Sequence, residues 1–174
     1  MTFQVAKALE YAHSRKLIHR DIKPSNVMLS REGIIKVMDL GIAKFADQQH
    51  ALTSTQQALG SLDFMAPEQL QAESTDGRAD VFALGCTFHF LLTGEPPERR
   101  RTAALLVSNA PRLEGLRHQL PPPLTRLLQQ MLLPDPRERC DSMAEVADRI
   151  KPFCGSADLP QLASKSFELL SHEE

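Results

Sequence analysis

Apolar residues near the start of the chain recur at helical spacing. Phe3, Ala6, Leu9 and then Tyr11 or Ala12 predict an amphipathic helix over Phe3 to Ser14. The pattern then shortens. The runs "NVMLS" and "IIKVMDL" are β-prone and joined by "REG", which predicts a hairpin with Gly33 free to take a positive φ in the turn. From Gly41 to Leu62 the chain is polar and rich in Gln, Thr and Ser, without a clean period, and is expected to be a long loop of functional type. Helical signals return at "PEQLQA", a short helix, and at Ala79 to Leu92, which is apolar on every side and should be buried all round. "TGEPPERRR" is a Gly/Pro-punctuated connection. In "PPLTRLLQQMLL", Leu124, Leu127, Leu128 and Met131 share one face. "SMAEVADRIKPF" opens on Ser142 with Glu145 three residues on, a capping-box signature. No repeat or low-complexity segment is visible, and the tail after Gly155 is weakly patterned. The architecture expected is mainly α with a small β-hairpin.

Composition narrows the function classes. A chain of 174 residues with 42% hydrophobic and 24% charged residues has the means to build one core. The net charge of -2 gives no electrostatic basis for a nucleic-acid partner. The most apolar stretch, "VFALGCTFHFLL", is too short to span a bilayer, and "MTFQVAKALEYAHSRK" lacks the continuous apolar run of a signal peptide. A soluble, cytoplasmic chain without a membrane segment is therefore expected. Cys86, Cys140 and Cys154 are odd in number and lack CxxC spacing, so all three are expected to be buried apolar thiols in a reducing compartment.

One stretch concentrates chemistry. "LIHRDIKPSN" places Asp21 between a helix end and a strand, where a carboxylate can face a cleft. Lys23 lies two positions on, and alternate side chains of an extended segment share a direction. Asn26 offers an amide oxygen, a hard ligand suited to a partly hydrated Mg²⁺. Across the hairpin, Asp39 in "MDLG" supplies a second oxygen, with Gly41 allowing a sharp bend behind it. A base, a cation for phosphate and two metal ligands are the parts needed to move a phosphoryl group. The other histidines, His13, His50, His89, His118 and His172, show no ligand spacing and receive no role.

"HRDIKPSN", then "DLG", then "MAPE", in that order, closely resemble the catalytic loop, magnesium loop and APE motif of protein kinases. "YAHSRKLIHRDIKPSNVML" and "LGSLDFMAPEQ" are most similar to the bacterial branch, and the resemblance runs from about Met1 to Phe153. It implies the large, C-terminal lobe of the kinase fold over residues 1–154, followed by a tail over 155–174. It also implies a serine/threonine kinase that uses ATP and Mg²⁺ and phosphorylates a protein substrate. On that resemblance Asp21 is the base for the substrate hydroxyl and Lys23 steadies the transferred phosphate. Asn26 and Asp39 hold Mg²⁺, and Met28 underlies the adenine. His19 and Leu40 stack in the apolar column between lobes. Arg20 would receive a phosphorylated activation loop, with Thr53 and Thr55 as acceptors and Ser54 behind them. Ser61 positions the catalytic aspartate and lysine, Glu68 pairs with Arg139, and Asp80 accepts from the catalytic-loop backbone.

The chain departs from the family pattern in two ways. Leu40 replaces the usual phenylalanine, Glu98 follows "PP" where an aromatic is common, and Cys140 stands where proline is common. More consequentially, these residues include no GxGxxG and no VAxK-like strand, so the small lobe and half of the nucleotide site are expected to be absent. The expectation is a copy truncated on its N-terminal side, with negligible activity alone and a small lobe as a missing partner. The alternative is a non-catalytic, kinase-like binding module.

Overall fold

The computed structural model describes residues 1–39, 62–97, 120–155 and 160. Leu40, Thr53, Ser54, Thr55, Ser61 and Glu98 lie outside the described residues. The described elements, in chain order, are α1 (Thr2–Ser14), β1 (Val27–Leu29), β2 (Ile35–Val37), α2 (Pro67–Leu70), α3 (Gly77–Thr93), α4 (Pro122–Met131) and α5 (Met143–Ile150). Short 3-10 turns at Pro24–Asn26, Pro136–Glu138 and Lys151–Phe153 connect them. The mainly helical chain with one hairpin is thus the architecture its hydrophobic pattern predicts.

The hairpin is antiparallel, with Val27 opposite Val37 and Leu29 opposite Ile35. Gly33 sits in its turn at φ +77°, a conformation that glycine adopts without steric cost. Val27, Leu29, Ile35 and Val37 face inward and are partly buried, while Met28 and Lys36 alternate outward.

α3 is the axis of the fold. Asp76 caps it by accepting from the Arg78 N–H at 2.8 Å. Its residues from Ala79 to Thr87 are all buried because two clusters enclose the helix. Val81 and Leu84 join a core built with Leu9 of α1, Leu127 of α4 and Val146 of α5. Ala79, Phe82 and Cys86 join a second cluster with Ala66, Leu128 and Leu132. Burying a leucine completely contributes about 1.5–3 kcal/mol, so Leu84 and Leu127, both at 1% exposure, are major anchors. Leu124, Leu127, Leu128 and Met131 are all buried, as the α4 pattern predicts.

Three local expectations need correction. The expected α1 stripe holds at Phe3, Ala6, Leu9 and the half-buried Ala12, with Thr2 and Val5 buried beside it, and only the Tyr11 alternative fails. Tyr11 is 61% exposed, and its ring meets the Arg15 guanidinium at 4.2 Å instead of packing in the core. At α5, Ser142 Oγ accepts from the Glu145 N–H at 3.3 Å, but the Glu145 carboxylate accepts from the Asp141 N–H at 2.9 Å. The reciprocal arm of the cap therefore reaches one residue further back than a capping box requires. Finally, Cys86 and Cys140 are buried but Cys154 is exposed, because it lies beyond the packed face of α5 in the stretch from 151 to 155, which is exposed throughout.

Candidate active site

The catalytic loop gains its shape from three buried anchors. His19, Ile22 and Asn26 are at 1%, 1% and 6% exposure, and they leave Arg20, Asp21 and Lys23 partly exposed between them. Ile22 enters the main core cluster. His19 is fixed at both ring nitrogens: Nε2–H donates to the Met38 carbonyl at 2.9 Å, and Nδ1 accepts from the Asp21 N–H at 3.4 Å. That pair of contacts assigns the neutral Nε2–H tautomer and ties the loop to the end of the hairpin.

Asp80, in the first turn of α3, organises the backbone from below. Its side chain is wholly buried. Oδ2 accepts from the His19 N–H at 2.8 Å and from His13 Nε2 at 2.7 Å, while Oδ1 accepts from the Arg20 N–H at 2.7 Å. Three donors on one carboxylate offset the desolvation of a buried charge. His13, given no role on sequence grounds, is therefore part of the site's support. The only sequence hint is its place in the last turn of α1, where a basic residue suits the helix dipole. Gly77 makes room for it: a Cβ there would lie 2.9 Å from the His13 ring.

Above this support lies the polar cluster. Asn26 Nδ2 donates to the Asp21 main-chain carbonyl at 2.7 Å and to Asp21 Oδ2 at 3.0 Å. Lys23 Nζ stands 3.3 Å from the same Oδ2. The Asn26 amide nitrogen is thus committed to Asp21. Asp39 follows Met38, whose N–H donates to the Asn26 carbonyl at 2.8 Å, so the two candidate metal ligands sit on adjoining segments. Asp39 is exposed and has φ +54°, a left-handed backbone uncommon for residues other than glycine. Among the described residues no three His, Cys, Asp or Glu side chains converge as a metal site. An amide oxygen and one carboxylate fit a Mg²⁺ ion that keeps water and phosphate oxygens as its other ligands. Met28, 54% exposed on the outer hairpin face, is an apolar surface that fits a planar base.

A second carboxylate–cation pair joins α2 to Arg139. Arg139 Nη1 and Nη2 donate to Glu68 Oε1 and Oε2 at 2.7 and 2.8 Å. Its remaining N–H groups go to the carbonyls of Leu133, Arg78 and Pro134 at 2.7, 3.0 and 2.8 Å. All five guanidinium donors are thereby used, and the group lies 4.8 Å from the Phe82 ring centre. Gln69, next to Glu68, was assigned nothing by its sequence context, yet its Nε2 donates to the Arg20 carbonyl at 3.0 Å.

Comparison with known proteins places the chain in a family. The family model described as "Protein kinase domain" matches residues 1–149. The chain is 37% identical over 164 residues to the serine/threonine-protein kinase PknB of Mycolicibacterium smegmatis, covering 90% of this chain and 26% of that protein. It is 36% identical over 164 residues to PknF of Mycobacterium tuberculosis, covering 90% and 34%. The crystal structure of the M. tuberculosis PknI kinase domain superposes with a TM-score of 0.65 at 34% identity, covering 88% of this chain and 53% of that one. The chain belongs to the protein kinase family. Within it, the relatives mark a serine/threonine kinase of bacterial type, and the fold is that of the large, mainly helical kinase lobe. The chain spans about a quarter to a third of the length of these curated relatives. No helix among the described residues is long and apolar enough to cross a membrane.

Proposed function

We propose that this chain carries the catalytic loop of a kinase that transfers the γ-phosphate of ATP to a serine or threonine hydroxyl of a protein. The observation that carries the reading is the Asp21 carboxylate. It is oriented by the Asn26 amide at 3.0 Å and lies 3.3 Å from the Lys23 ammonium. In this reading Asp21 Oδ orients the acceptor hydroxyl and takes its proton, a role that contributes typically 10²–10⁴-fold. Lys23 balances negative charge that gathers on the transferred group. Asn26 and Asp39 would hold Mg²⁺, which supplies charge neutralisation on the phosphate oxygens when bound. Met28 would support the adenine. Arg20 is the candidate receiver of a phosphorylated Thr53 or Thr55, and Ser61 the candidate partner of Asp21 and Lys23.

These residues include no glycine-rich loop and no strand lysine, so phosphotransfer should require a small lobe, supplied on the same chain or on another. The test is transfer from Mg²⁺-ATP to a generic protein substrate, with the 174-residue chain alone and with a related kinase's small lobe fused in front of it. Background activity is expected for the first, and activity abolished by Asp21→Asn for the second. Robust Asp21-dependent transfer by the chain alone would refute the need for a small lobe. Transfer by the fusion that ignores Asp21→Asn would refute the catalytic assignment.

A further inference from the structure

Arg20 has φ +65°, a left-handed backbone that a residue with a Cβ adopts only at a cost. It immediately precedes Asp21. Two elements hold it there from opposite sides. Asp80 of α3 accepts from its N–H at 2.7 Å. Gln69 of α2 donates to its carbonyl oxygen through Nε2 at 3.0 Å. The same Gln69 side chain accepts from the Ala66 N–H through Oε1 at 3.1 Å. One amide therefore spans from the start of α2 to the peptide bond joining Arg20 to Asp21. Its base is firm, because Ala66 is fully buried and the neighbouring Glu68 is locked to Arg139.

We propose that Gln69 is a positioning residue: by donating to the Arg20 carbonyl it fixes the Arg20–Asp21 peptide plane and couples the Ala66–Leu70 segment to the catalytic loop. The chemistry explains the residue type. The Arg20 carbonyl needs a donor and the Ala66 N–H needs an acceptor, and an amide carries both at one end of a side chain of this length. Glutamate can serve only the N–H, and lysine or arginine only the carbonyl. The consequence for catalysis rests on the reading of Asp21 as the base. The contact and its effect on the loop do not.

Hydrogen exchange of the purified chain, followed by mass spectrometry, separates the two. Gln69→Glu keeps the acceptor for Ala66 and removes the donor to Arg20. Exchange of the Arg20 and Asp21 amides should quicken about 2- to 10-fold, the range for losing one net hydrogen bond, with the amides around Val146 in α5 unchanged. In an Arg20→Gly background, where the left-handed conformation is free of strain, the same substitution should quicken loop exchange less than about 2-fold. Gln69→Met, which removes both contacts, should quicken Ala66 as well as the loop, and it serves in place of Gln69→Glu if that variant does not fold. Unchanged loop exchange, uniform acceleration throughout the chain, or an undiminished effect in the glycine background would each overturn the proposal. Absence of phosphotransfer would bear on the kinase reading and leave these rates as they are.

Discussion

Glu68 and Arg139 meet through two parallel bonds and keep 5% and 0% of their side-chain surface exposed, whereas Asp21 and Lys23 touch at one point and keep 9% and 18%. The chemical parts are the same and the settings are opposite. The first pair is saturated, with every guanidinium donor given to a fixed oxygen, so it can only hold α2 against the Leu133–Arg139 segment. In the second, Asn26 donates to the Asp21 carboxylate at 3.0 Å and both members keep some surface exposed. Saturation under burial suits a brace, and the partly exposed pair is the one proposed above for chemistry.

Breaking the brace should have the largest effect on folding. Arg139→Met or Glu68→Gln leaves one buried charge unmatched, which should cost about 3–5 kcal/mol in urea denaturation. A loss below about 1 kcal/mol would mean that the pair behaves like a surface contact. Asp21→Asn should show the reverse: phosphotransfer by the two-lobed protein falls about 10²–10⁴-fold, while the denaturation midpoint hardly moves. A large loss of stability there would erase the distinction between the two pairs.

The cysteines repeat the contrast on a smaller scale. Burial is the first cause that pushes the Cys140 thiol up to about 11, from 9.0, with the Glu145 carboxylate adding to it. Cys154 is exposed. At pH 8 Cys154 should react with a thiol reagent on the order of 10² times faster than Cys140, read by peptide mapping of the labelled chain. Because folding raises the Cys140 value, its preference for the protonated fold is complete below pH 9 and is lost as pH rises from 9 through 11. Stability should therefore decline across that window, and Cys140→Ala should remove this part of the decline. The smallest effect belongs to Arg78 and Asp141, paired at 2.8 Å with the aspartate largely exposed. Asp141→Ala should cost less than about 1 kcal/mol, and salt should weaken the effect further.

Helices and hairpin were legible because their signals are local. The α4 stripe, the Ser142 cap and the Gly33 turn depend on spacings of a few residues, and each element formed where its pattern lay. The faces of α1 were less legible, since spacing alone does not say that Val5 packs inward while Tyr11 lies under Arg15. At the site, the identity of the loop could be read by resemblance, but its support could not. His13 and Gln69 act through partners far away in sequence, Asp80 and Arg20. The left-handed backbones fall on Arg20 and Asp39, neither of them glycine, so no composition cue announces them. Strain held by tertiary contacts leaves little trace in a local pattern.

The close approach of Gly77 to His13 constrains how this sequence can drift. A methyl group at position 77, the first residue of α3, would meet the His13 imidazole at 2.9 Å. Shrinking residue 13 first would clear the space and strip a donor from the buried Asp80. Neither order of change is neutral. The two positions are coupled, and a side chain added at 77 requires the His13 imidazole, and with it a donor to Asp80, to move.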